Sequence, residues 1–206
     1  MSDDDTARVA PATVDDIDPV TDLWIAHAAG QRRHGSTLLA EANRAAVREW
    51  VARSVVTGDL LVARPVERSD DAGRHEDDAG RHEDDTGRHK ADDGVDRDTT
   101  TPIGFVGFAL DHGGYDRSRR RGTVSNLFVV PERRGEGIGS ALLDAAERAL
   151  REAGAEVVAL EALADNDRGR EFYAAHGYDR HRVELTKSLS GEKSTASTAD
   201  NGDETE

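Results

Sequence analysis

Cysteine is missing from all 206 residues, so disulfides, thiolate metal sites and a cysteine nucleophile are excluded together. Also missing is any apolar run near the roughly 20 residues that a membrane-spanning helix requires, which predicts a soluble chain with no membrane partner. The first residues, Met1-Ser-Asp-Asp-Asp5, are acidic where a secretory leader needs a basic start and an apolar core. A cytoplasmic protein is expected. Aromatic residues make up 4% of the chain and none interleaves the basic run 117–121, so no nucleic-acid partner is expected either.

Negative charge is abundant but unevenly placed. The formal charge is −15, yet residues 67–98 hold 13 acids against 6 bases, residues 188–206 hold 5 against 1, and residues 2–5 hold 3 acids. The remaining 21 acids and 20 bases nearly cancel. High charge of this kind favours solubility and says little about the fold.

The middle acidic segment is repetitive. Asp70-Asp-Ala-Gly-Arg-His-Glu76 recurs at 77–83 and, as Asp-Asp-Thr-Gly-Arg-His-Lys, at 84–90. Heptads that formed a coiled coil would need two apolar positions each, and these offer one alanine or threonine beside a glycine. His75, His82 and His89 recur beside carboxylates, as metal ligands do, but seven-residue spacing does not converge them in a disordered chain, and no metal site is assigned. Composition reads 67–98 as a disordered insert, and 1–5 and 188–206 as acidic tails. Loop-closure entropy grows only logarithmically with length, so a surface turn tolerates such growth.

Two blocks remain, 6–66 and 99–187, which are expected to pack as one domain across the insert. A short strand is predicted near 7–12. Helices follow near 15–30, with Ile17, Val20, Leu23, Trp24 and His27 at helical spacing, and near 41–57, with Ala42, Ala45, Ala46, Trp50 and Val51. Gly58 is a natural stop. Strands are predicted at 60–64, 103–110 and 124–130, then a helix over 137–153 with Ile138, Leu142, Ala145 and Ala149 in one stripe. A strand at 156–161, a helix at 168–176 and a strand at 178–187 complete the set.

Between the strand ending near Val130 and the helix that follows lies Arg133-Arg-Gly135-Glu-Gly137-Ile-Gly139-Ser140. Glycines let a ligand approach the backbone, the helix start presents unpaired N–H groups and the positive end of its dipole, and Arg133 and Arg134 add charge. Such a junction suits a phosphate. A Rossmann fingerprint fails on its third glycine and on the Pro131–Arg134 spacer, and a P-loop lacks the Gly-Lys-Ser/Thr ending.

Arg134-Gly-Glu-Gly137-Ile-Gly139 resembles the coenzyme A signature of the Gcn5-related N-acetyltransferase (GNAT) superfamily. A second segment, Glu161-Ala-Leu-Ala-Asp-Asn166 through Phe172-Tyr173 to Gly177-Tyr178, resembles the superfamily's later motif, in the right order and about one helix and one strand away. The resemblance implies an α+β fold, a mixed and mostly antiparallel central sheet flanked by helices in the order β-α-α-β-β-β-α-β-α-β. It also implies an enzyme that moves acetyl from acetyl-CoA to a primary amine, of a small molecule or a peptide, by direct attack, acting as a monomer or homodimer. The alternative is a non-catalytic acyl-CoA sensor or scaffold of the same fold.

Roles follow by the same resemblance. Leu127, Phe128 and Val129 would pair with the pantetheine arm, with a backbone N–H near Val129 facing the thioester oxygen. Arg134, Gly135, Glu136, Gly137, Ile138, Gly139 and Ser140 would hold the pyrophosphate, and Asn166 would contact the arm. Tyr173 matches the general acid that protonates the departing sulfur, and Glu161 the general base, against plain readings as a core aromatic and a strand-end carboxylate. Asn126 stands where many relatives carry an acid, and Gly169 where they carry alanine. Gln31–His34 and Asp111–Asp116 are the candidate acceptor loops.

Overall fold

The computed structural model describes residues 7–66, 101–111 and 118–189, so the heptad repeat, most of the Asp111–Asp116 loop and nearly all of both acidic tails lie outside the described residues. Contacts divide the chain into two compact units, Met1–Asn166 and Asp167–Glu206.

In the first unit, five strands form one sheet in the order β1-β2-β3-β4-β5: β1 (Ala7–Pro11), β2 (Leu60–Pro65), β3 (Gly104–Leu110), β4 (Arg121–Val129) and β5 (Val157–Leu160). The first four are antiparallel and β5 joins β4 in parallel. The mixed, mostly antiparallel sheet is the expected one, and Ala63 pairs with Gly104 across the insert. Leu60 through Ala63 and Gly104 through Phe108 are buried without alternation, because helices cover both faces of the central strands.

Helices α1 (Ile17–Gln31) and α2 (Arg44–Thr57) cover one face, where Val20, Val47 and Val51 join Leu60, Val62, Phe105 and Phe128 in the core. The buried face of α2 is Val47, Val51 and Ser54, while Ala42, Ala45 and Ala46 are exposed, so its apolar stripe is shifted from the expected one. Helix α3 (Ile138–Glu152) packs on the opposite face through Ile138, Leu142, Leu143, Ala146 and Leu150. A β-carbon on Gly104 would meet Leu142 at 3.2 Å, and one on Gly122 would meet Leu150 at 2.7 Å, so both glycines permit that approach.

Asp16 and Arg64 are buried polar residues of this unit. Arg64 Nη2 donates to Asp16 Oδ1 at 2.6 Å, and Asp16 Oδ2 accepts from Thr13 N–H at 2.7 Å. The pair ties the turn before α1 to β2.

The second unit contains α4 (Asp167–Ala175), after which the chain turns at Gly177. Residues 178–187 were expected to form a strand, and the structure corrects this: they carry no strand. Val183 and Leu185 within this stretch are 72% and 89% exposed. Alternation stabilises a strand only when a neighbour accepts its ladder and its apolar face.

Candidate active site

The site begins with a misfit between β3 and β4. Gly107 pairs with Asn126 but Phe108 pairs with Val124, which leaves Ser125 as an extra residue on β4. A bulge of this kind re-aims the side chains beyond it. Gly122 faces α3, and by alternation so does Val124. Past the bulge, the even positions Asn126 and Phe128 turn to the α1/α2 face, where Phe128 enters the core, and Val129 takes the α3 face beside Gly104.

Pairing between β4 and β5 stops at Val124 and Leu160, while β4 runs on to Val129. The two strands thus part at the bulge. Val130 N–H donates to Ile103 O at 2.9 Å, toward β3, so by the antiparallel alternation the backbone groups of Val129 and Leu127 point the other way, along the edge that β5 has left.

The glycine-arginine loop follows at once. Pro131–Arg133 form one short turn, and Gly135 (φ +90°) and Gly137 (φ +79°) are left-handed, a conformation L side chains rarely adopt. A β-carbon built on either glycine meets nothing within 4 Å, so the loop presents bare backbone to open space. Ala141 N–H donates to Gly137 O at 3.0 Å as the first bond of the α3 ladder, and the amides of Ile138 and Gly139 therefore open the helix with no helical carbonyl beneath them. Backbone N–H groups at a helix start attract anions. These surroundings fit the diphosphate end of a coenzyme.

Both arginines are committed differently from the simple expectation of added charge. Arg133 Nε donates to Glu136 Oε2 at 2.8 Å within the loop. Arg134 turns back: its Nε donates to Val129 O at 2.9 Å, and its guanidinium lies 5.4 Å from the Phe128 ring centroid. Arg134 therefore fastens the loop to the last residues of β4, bringing Leu127–Val129 and Arg134–Ser140 together. Phe128 also packs on His27 of α1 at 5.3 Å between ring centroids. Burial, reinforced by Arg134, pushes the His27 imidazole down to about 4, so it is neutral at pH 7.

Glu161 is exposed, one residue beyond the last β4/β5 pair, and takes no part in the Arg134 contacts. Asn166 is half-buried in the following loop and donates its backbone N–H to Leu163 O at 3.0 Å. His34, from the loop after α1, hydrogen-bonds Asp165 O through Nδ1 at 2.9 Å, which identifies Nδ1 as the protonated nitrogen and ties the two loops together. In the second unit, Tyr173 packs edge-on to Phe172 and Tyr178, at 5.2 and 5.8 Å between centroids. Burial raises its phenol to about 12, so it carries its proton at neutral pH.

Beside the bulge is a cleft of about 280 Å3, lined by Trp24, Leu38, Asn43, Val47, Trp50 and Asn126 among others. The two tryptophans read as core positions in the sequence, since each lies in a helical apolar stripe. A legible signal was Gly107 in the apolar run Gly104–Leu110, because a glycine inside a strand marks a close approach. Its β-carbon would stand 2.7 Å from Trp50 Cζ2.

The sequence model of the Acetyltransferase (GNAT) family matches residues 56–178, more than half of the chain. An aminoalkylphosphonate N-acetyltransferase of Salmonella typhimurium is 38% identical over 68 residues, covering 33% of this chain and 44% of that protein. The chain spans about half the length of the curated relatives it matches. Among solved structures, a GCN5-related N-acetyltransferase from Ralstonia eutropha JMP134 superposes with a TM-score of 0.59 at 22% identity, covering 90% of this chain and 99% of that one. The NatC complex bound to Gag peptide and CoA aligns over 85% of this chain and 86% of that one, with a TM-score of 0.52 at 16% identity. These structural likenesses establish a shared fold. The family match over more than half of the chain places it in the acetyltransferase (GNAT) family.

Proposed function

We propose that the chain is an N-acetyltransferase that moves acetyl from acetyl-CoA to a primary amine by direct attack. The observation that carries this reading is the open edge at Leu127 and Val129 joined through Arg134 to the Gly135–Ser140 helix start. The edge offers strand-like hydrogen bonds to an amide-bearing arm, and the helix start offers N–H groups to a diphosphate. One relative is an aminoalkylphosphonate N-acetyltransferase and the NatC structure holds CoA, which supports a coenzyme A thioester as donor and an amine as acceptor.

In the step itself the neutral amine attacks the thioester carbonyl, a C–N bond forms, and the C–S bond breaks. Val129 N–H donates to the carbonyl oxygen as charge develops there. Tyr173 gives its proton to the departing sulfur, and the proton the nitrogen loses passes to Glu161 or to water. The products are an N-acetyl amide and the free thiol. Holding the amine beside the thioester supplies much of the acceleration, because a bimolecular encounter becomes a positioned one.

Replacing Tyr173 by Phe tests the acid role. Thiol release with an accepted amine is expected to fall by about 10²-fold or more, within the range of general acid catalysis, with acetyl-CoA affinity kept. Unchanged turnover would remove Tyr173 from the chemistry, while binding of acetyl-CoA with no transfer to any amine would favour the sensor reading.

A further inference from the structure

We infer that the cleft beside the β4 bulge is an acceptor pocket for a monoamine with a compact apolar body, preferably aromatic, and that Trp50, set by Gly107, determines this preference. The inference rests on the transferase reading above and names its substrate class.

Four observations carry it. First, the cleft of about 280 Å3 has room for about nine water-sized groups, the size of one aromatic ring with a two-carbon amine arm. Second, among the described residues every lining side chain is uncharged. A second ammonium, a carboxylate or a phosphonate placed there would find no opposite charge among these side chains, whereas an apolar body would cover their apolar surface. Third, the walls are two indoles with Leu38 and Val47, and aromatic faces suit flat apolar bodies and ammonium groups alike. Fourth, its polar groups are two carboxamides. Asn43 donates its Nδ2 to Leu39 O at 2.8 Å, which fixes the amide and turns Oδ1 to accepting. Asn126 sits on β4, one residue before the edge that would hold the acyl donor.

Trp50 owes its place to the strand beneath it. A β-carbon on Gly107 would come within 2.7 and 2.9 Å of its ring and within 3.0 Å of Ser125 Oγ, so only glycine lets the indole lie across β3 against the bulge. The bulge and the pocket wall are thus built on one another. An amine seated there attacks the thioester as described, forming the amide and releasing the thiol.

The test compares acceptors on the full chain by thiol release: 2-phenylethylamine, spermidine, 2-aminoethylphosphonate and a short peptide with a free apolar N-terminal residue. Acetyl-CoA affinity is measured separately by calorimetry. We expect kcat/KM for 2-phenylethylamine to exceed each of the others by tenfold or more. Trp50→Ala and Gly107→Ala should each erase at least tenfold of that preference, mainly through KM, with acetyl-CoA affinity and the circular dichroism spectrum kept. Retained affinity with equal or better use of spermidine, the phosphonate or the peptide would overturn the pocket assignment alone, as would retained affinity with no transfer to 2-phenylethylamine. An unaltered preference in both variants would overturn the role of Trp50. Loss of acetyl-CoA binding by the wild-type chain would instead overturn the transferase reading and this one with it.

Discussion

His27 shows how a residue read as one of five helical spacings acquires a specific role in three dimensions. Its imidazole packs on Phe128 next to Arg134, and burial lowers it from the usual 6.5 to about 4. Below pH 6.5 the unfolded chain takes up a proton that the folded chain refuses, so stability is full above that pH and is lost as pH falls toward 4. The loss is about 1.4 kcal/mol per pH unit, or about 3 kcal/mol across the window. Urea unfolding at pH 7 and pH 4.5 should show a difference that shrinks in His27→Gln; an equal difference in the variant would remove His27 as its source. Arg134 makes the same point about legibility. Its presence in a glycine loop was evident from the sequence, but its turn onto Val129 O and Phe128 was not, because a motif says which residue is present and not where a long side chain points.

Elements were legible where their pattern was self-contained. Helix α3 falls within a residue of its expected bounds because a glycine start, an apolar stripe and Gly154 mark it locally. The expected strand over 178–187 did not form, since a strand depends on a partner that no local pattern reports. The family resemblance implies that β4 bulges and splays, but the bulge's place at Ser125 was not legible for the same reason: register belongs to two strands at once. So does the buried pair of Asp16 and Arg64, 48 residues apart in sequence. Asp16→Ala would leave a guanidinium buried without this carboxylate, at a cost of about 3–5 kcal/mol. Thermal unfolding should show that loss, and adding Arg64→Met should restore part of it by removing the buried charge that Asp16 balanced. A double variant no more stable than Asp16→Ala would mean that the cost is one of packing.

For the molecule as a whole, the sequence separated a nearly neutral core from acidic appendages, and residues on both sides of the insert do pair in one sheet. Two motifs, ending at Gly139 and beginning at Glu161, were enough to indicate the family, because they come in the right order with about one helix and one strand between them. The cleft was hidden, since it draws on α1, the following loop, α2 and β4, and its walls Trp24, Val47 and Trp50 also pack in or against the core, as their helical spacing indicated. Its chemistry follows from their convergence. Binding of acetyl-CoA by the parted strand and the glycine loop underlies every role given to these residues. Calorimetric titration of the full chain with acetyl-CoA, beside Gly137→Trp, tests it most directly, since that substitution places a bulky L side chain at φ +79° in the space now open. One-to-one binding in the micromolar range by the wild type, lost in Gly137→Trp, is the expected result. No binding by the wild type, or equal binding by Gly137→Trp, would contradict a coenzyme site in this loop.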